Sequence, residues 1–212
     1  MPNKSPNSKS TTTVSEPPAD QQTPPGATAP EVPPGPPRKI YNIVKYGEPI
    51  LEKPSKTITN FDVELADLAE DMFASMYAAQ GVGLAAPQIG KGLRIAVVDV
   101  TAGKNPEAKI VLINPEIIHA EGEKREEEGC LSIPGFRGYV VRPLFVTVRA
   151  QTLSGEPFEI RGEDLLARAF CHEIDHLNGV LYIDKARDVR PARDEEEQTQ
   201  EVAPAAEAES VR

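Results

Sequence analysis

Tryptophan is absent from this 212-residue chain, and phenylalanine and tyrosine are few, at six and five. Any core must therefore be built mainly from aliphatic side chains. There are two cysteines, Cys130 and Cys171, too few for the disulfide framework of a small secreted domain, which favours a reducing compartment. No run approaches the roughly 18 consecutive apolar residues of a membrane helix. The N-terminus has neither the apolar stretch of a secretory signal nor the Arg-rich, acid-free character of a transit peptide. Basic residues are in deficit as well, 23 against 33 acidic ones, for a net charge of −10. Nucleic acid and anionic membranes would repel such a chain. Neither is expected as a direct partner, and a soluble, cytoplasmic protein is.

Proline is plentiful, with 21 residues. Residues 1–39 are dominated by Pro, Ser, Thr, Ala and Gln and have almost nothing to bury, so they are expected to form a disordered tail. Residues 187–212, rich in Glu, Ala and Pro and containing Asp194-Glu195-Glu196-Glu197, are expected to form a second, acidic one. One domain, 40–186, is left between them.

Inside that domain Leu65, Leu68, Met72, Phe73, Met76 and Tyr77 fall on one side of a helical pattern over residues 62–80, which Asn60 or Asp62 can cap. Residues 81–90 interrupt it with Gly81 and Gly83. They lack the later glycine and the lysine of phosphate-binding loops, which argues against a nucleotide. Residues 94–100, 110–115, 139–142, 144–151 and 158–160 are β-branched or alternating and bounded by turn residues, while 117–128 reads as a charged edge strand or hairpin. The fold class is α+β: mostly antiparallel sheets packed around a central helix, with one helix before them.

That central helix is the stretch Ala169 to Gly179. Leu166, Phe170, Ile174 and Leu177 form its apolar stripe, and Asn178-Gly179 supplies a stop. His172 and His176, four residues apart, project from one face and can share a divalent metal, and Glu173 beside them can take a proton from an activated water and later return it. The pentapeptide also arises by chance, with histidines that are merely solvated. A catalytic site needs a third ligand. His119 lies in the charged segment, and Cys171 points about 100° around the helix from His172. Cys130, by itself more ordinary as a small buried apolar residue, becomes the leading candidate beside an incomplete two-histidine site.

Three segments together carry more weight than the pentapeptide. Gly81-Val82-Gly83-Leu84-Ala85-Ala86-Pro87-Gln88, Glu128-Gly129-Cys130-Leu131-Ser132 and His172-Glu173-Ile174-Asp175-His176-Leu177-Asn178-Gly179 resemble the three signature motifs of bacterial peptide deformylases, in order and spacing. Gly47-Glu48-Pro49-Ile50-Leu51 and Ile113-Asn114-Pro115 match too. The resemblance implies a metal held by Cys130, His172 and His176, with Fe²⁺ as the family's usual ion and Zn²⁺, Ni²⁺ or Co²⁺ as substitutes. It implies Glu173 as general base and then acid, Gln88 and the backbone N–H of Leu131 as oxyanion donors, and Glu128 paired with Arg137 to hold the cysteine loop.

The substrates so implied are nascent polypeptides beginning with N-formylmethionine, with the ribosome as a further partner. The peptide is expected to lie along the backbone of Val82, Gly83 and Gly129 as an added strand. Ala169 and Leu165, one and two turns before His172, are expected to wall the methionine pocket, with Arg168 at its rim. The alternatives are a metallopeptidase using the same helix motif and a non-catalytic metal-binding relative; intact Glu173 and Gln88 speak against the second.

Overall fold

The computed structural model describes residues 37–192. Residues 1–36 and 193–212, which make up most of the two expected tails, lie outside the described residues. The apolar stripe at 65–77 becomes helix α1 (Val63–Ala78), whose first turn is capped by Asp62 Oδ1 accepting from Leu65 N at 2.9 Å. Next come β1 (Gly83–Ala85), β2 (Ile95–Val98), β3 (Ile110–Glu121), β4 (Lys124–Cys130), β5 (Ile133–Arg142), β6 (Phe145–Gln151) and β7 (Pro157–Glu163). Helix α2 (Asp164–Leu177), the single turn α3 (Tyr182–Lys185) and β8 (Arg187–Pro191) complete the chain. Pro49–Glu52 is a 3-10 turn that buries Leu51 completely.

The strands form two antiparallel sheets, one in the order β1-β2-β3-β6-β7 and one in the order β4-β5-β8. Helix α2 lies between them. Ala167, Ala169, Phe170 and Ile174 pack on Val98, Leu112, Val146 and Val148 of the larger sheet, and the other side of the helix touches β5. This is the α+β arrangement expected, with antiparallel sheets around a central helix. No helix among the described residues is long and apolar enough to cross a membrane.

Two expectations need correction. Residues 117–128 are not one edge strand or hairpin but the parts of two strands, and only 124–128, in β4, lie at a sheet edge. Strand β3 is interior, between β2 and β6, while β4 pairs only with β5 in the other sheet. Gly122, at φ +69°, turns the chain out of one sheet into the next, so β4 and β5 form an excursion inserted between two paired neighbours. The domain also continues past residue 186. Strand β8 pairs with β5 through Arg137↔Arg190 and Phe136↔Pro191. Its charges read as solvated from composition, yet Arg190 bonds Glu127 at 2.6 Å and lies over the Tyr139 ring, and Val189 packs where a side chain at Gly138 would stand. Residues 38 and 39 are likewise tied down, by Arg38 on Asp67 and by the Lys39 N–H on Asp71.

Beyond β2, buried Asp99 gathers four donors: the Tyr77 hydroxyl (2.6 Å), Thr101 N (2.8 Å), Thr101 Oγ1 (2.6 Å) and Gly103 N (2.9 Å). Burial alone would raise its pKa, but these bonds outweigh it and hold the carboxyl at about 2. An ordinary aspartate titrates near about 4, so this stabilisation is complete above that value and is lost as pH falls toward 2. Asp99→Asn is expected to cost about 1–3 kcal/mol at neutral pH, and the deficit in thermal melts should shrink below about pH 4. A gap that stays constant down to about pH 2 would refute the assignment.

Candidate active site

Helix α2 carries two members of a three-residue cluster, His172 and His176, with ring centroids 4.9 Å apart. The third, Cys130, arrives from the other sheet as the last residue of β4. Their donor atoms lie within 4.8 Å of one another, and Cys130 Sγ is 3.2 Å from His176 Nε2. One soft thiolate with two imidazoles suits a single tetrahedral divalent transition ion whose fourth position stays open. The other sequence candidates stand apart. His119 is exposed on β3, 3.7 Å from Glu121, and Cys171 is buried where α2 packs on the larger sheet.

The histidines are prepared for such a role. Glu128 Oε2 sits 3.0 Å from His172 Nδ1, which leaves Nε2 to face a metal. Burial lowers the pKa of His176, and the charge of neighbouring His172 lowers it further, so that ring is neutral as a ligand must be. At His172 burial acts the same way, but the bonds to Cys130 and Glu128 outweigh it and raise the pKa to about 10, so this ring would give up its proton on binding a metal. Glu128 does not pair with Arg137. It accepts from Arg142, Nε at 2.8 Å and Nη2 at 3.0 Å. On β5 Arg142 faces inward and is buried, whereas Arg137 is exposed and its side chain lies across Gly129. Burial would raise the pKa of Glu128, but the bonds from His172 and Arg142 prevail and keep it ionised, at about 2. Arg142 also reaches Asp175, which Lys185 Nζ holds from the far side at 2.6 and 2.7 Å. A line of alternating charge thus runs from His172 to the surface.

Sequence reasoning did not find Arg142, Asp175 or Lys185. A signal existed, since Asp175 stands inside a helix read as buried, and a charge there requires an opposite partner.

Glu173 is buried, and burial lifts its pKa to about 7. Its Oε2 has no hydrogen-bond partner among the described residues. It lies against β1 so closely that a Cβ at Gly83 would come within 2.3 Å of Oε1; only glycine fits there. A carboxyl outside the donor set and poised near neutrality is suited to carry protons. Gln88, in the 3-10 turn Ala86–Ile89, accepts from Ala85 N at 2.9 Å. That fixes its amide Nε2 toward Cys130 Sγ (3.5 Å) and Ser132 Oγ (3.3 Å). Leu131 occupies the turn between β4 and β5, its carbonyl accepting from Lys45 Nζ at 2.9 Å.

A cleft of about 680 Å³ opens over the cluster. Val82 and Gly83 line one side, Gly129, Cys130 and Leu131 another, and Leu165, Ala169, His172 and Glu173 the helix side, with buried Gln88 also part of the lining. Of the residues expected in the site, only His176 is absent from the lining, being the most deeply buried member of the cluster. Arg168 lines the cleft as well and bonds Glu126.

A buried carboxyl beside a Cys-His-His cluster, held between two sheets, defines a hydrolase that works through one bound metal ion. The model of the polypeptide deformylase family matches residues 40–192, past the expected limit at 186 and through β8. The chain belongs to that family. It is similar to the peptide deformylase of Acidobacterium capsulatum, 61% identical over 144 residues, which cover 68% of this chain and 85% of that protein. It is also similar to that of Heliobacterium modesticaldum, 51% identical and covering 72% of this chain and 97% of that one. Among solved structures, a peptide deformylase from Legionella pneumophila superposes with a TM-score of 0.67 at 49% identity, over 70% of this chain and 87% of that one. The Thermotoga maritima enzyme does so with a TM-score of 0.66 at 41% identity, over 71% and 99%.

Proposed function

We propose that this chain removes the formyl group from N-formylmethionine at the head of newly made polypeptides, in the cytoplasm, with the residues around the cleft in defined roles. Deformylation is the reaction of its family. The observation that carries the assignment of roles is Glu173, buried and without a partner at Oε2 beside three converging donors. Cys130, His172 and His176 would hold one divalent ion, for which Fe²⁺ is the first choice, with Zn²⁺, Ni²⁺ or Co²⁺ able to replace it. When bound, such an ion makes water nucleophilic near neutral pH and polarises the formyl carbonyl.

Glu173 accepts the proton of the attacking water and, as the C–N bond breaks, delivers it to the departing amine, giving formate and a free methionine terminus. Gln88 Nε2 and the Leu131 N–H donate to the oxygen as its charge develops; a donor so placed contributes about a hundred- to a thousandfold. Strand β1 lies at an edge of its sheet, so a peptide can add to it by backbone bonds with little regard for sequence. Leu165 and Ala169 wall the space for the methionine side chain.

Protein purified without oxygen and assayed with its metal quantified is expected to release one formate per formyl-Met-Ala-Ser, leaving the peptide bonds intact. Chelation should abolish this and Fe²⁺, Ni²⁺ or Co²⁺ should restore it. Cleavage of internal bonds would favour the metallopeptidase alternative.

A further inference from the structure

Backbone pairing along β1 is indifferent to sequence, so any preference among formyl peptides must come from the walls of the cleft. Charge supplies little of it. On the lining, Lys45, Arg137 and Arg168 stand against Glu127, Glu128 and Glu173, and several of these are already held in ion pairs, Glu128 with Arg142, Arg168 with Glu126 and Glu127 with Arg190. At about 680 Å³ the cleft is of the size that takes a whole drug-sized ligand, so it has room for more of a peptide than its formylmethionine.

Two large apolar side chains on the lining are exposed, Leu165 at 40% and Phe136 at 46%. Leu165 walls the methionine space. Phe136 belongs to β5, where residues two apart share a face. Arg142, Val140 and Gly138 make up the inner row of that strand and are buried, and a Cβ at Gly138 would meet Tyr182 and Ala186. Phe136 is next in the row, and there the cover ends, leaving the ring on the cleft lining. Its backbone is fixed: Phe136 pairs with Pro191 of β8, and Ala192 N donates to Gly135 O at 2.9 Å. An apolar ring on a fixed strand gains by being covered, and with two rotatable angles it loses little entropy in the process.

We propose that Phe136 is a specificity-determining residue, which receives the side chain of the second or third residue of a formyl peptide and favours apolar side chains there. The proposal rests on the deformylase reading of the cleft. An extended peptide advances about 3.3 Å per residue, so these two residues are the next along the cleft once methionine fills its pocket. Their side chains point to opposite walls, and one of the two meets the ring. Covering a half-exposed ring with an apolar side chain changes affinity by about five- to twentyfold. The contact lies away from the carbonyl under attack, so ground state and transition state gain alike and the preference resides in KM.

The experiment measures formate release by the metal-loaded full chain from formyl-Met-X-Ser and formyl-Met-Ala-X, where X is Leu, Phe or Ser. At one of the two positions Leu and Phe are expected to give a KM about five- to twentyfold below that of Ser, with kcat within about twofold. Phe136→Thr removes the ring and suits a strand. It should bring the KM values for Leu, Phe and Ser within about twofold of one another, while Phe136→Leu should keep most of the difference. Val141→Thr, on the same strand and 54% exposed but off the cleft lining, should keep the parental difference. Equal KM for Leu, Phe and Ser at both positions overturns the proposal, as does a preference that survives in Phe136→Thr or that Val141→Thr also abolishes. No formate from any peptide with the parent chain would defeat the deformylase reading, and the proposal with it.

Discussion

Glu173→Gln is expected to lower formate release by about two to four orders of magnitude, the span assigned to a positioned proton carrier, with metal content unchanged. The substitution keeps size and shape. It should pack as the parent does beneath Gly83, where no larger residue than glycine fits. The proposed metal donors are the three neighbouring side chains, so the variant should bind one equivalent of ion. Stability should not fall, because the parent buries a carboxyl that burial itself pushes to about 7, and the amide carries no charge to desolvate. Loss of activity with full metal occupancy and an unchanged melting temperature is the result that assigns the proton to Glu173. Activity within tenfold of the parent would remove it from the mechanism.

The largest loss of stability is expected from Arg142→Met. Arg142 is buried and neutralises two buried carboxylates, Glu128 and Asp175. Methionine fills similar volume but leaves Glu128 with His172 alone and Asp175 with half-exposed Lys185. Removing one partner of a buried ion pair costs about 3–5 kcal/mol. For a domain of this size that is on the order of 10 °C in melting temperature. Metal affinity should fall too, by about ten- to a hundredfold, since Glu128 orients His172. The double replacement Glu128→Gln with Arg142→Met separates the causes: stability should recover in part because an unpaired charge is gone, while metal affinity should not. A single variant with parental melting temperature would show the chain of charges to be structurally idle.

The parts of the molecule legible in the sequence are those written in local periodicity or in side-chain chemistry. Helix α1 shows its buried stripe and its Asp62 cap within a few residues, and α2 shows its stop at Asn178-Gly179, where Gly179 adopts φ +74°. The proposed donors Cys130, His172 and His176, which the structure brings together, could be named because few other residues offer that chemistry. Pairings across the chain were not legible. Nothing near Arg142 announces Glu128, 14 residues away, over exposed Arg137, nine away; the choice is made by which face of β5 turns inward. Strand β8 was hidden because its charges look solvated until Tyr139 and Glu127 are brought beside it. The assignment of β3 and β4 to different sheets depends on β6, which lies beyond the excursion and supplies the partner for β3.

That excursion has a mechanical consequence. Cys130 belongs to the inserted sheet, whereas His172 and His176 ride on the helix packed against the sheet that is interrupted; 46 residues separate Cys130 from His176. An ion gripped by all three is a rivet between two layers as well as a reagent, and its binding energy adds to the energy of folding. Peeling the inserted hairpin away from α2 would require the rivet to come out first, so a chain stripped of its ion should lose the seam between its layers before either layer melts.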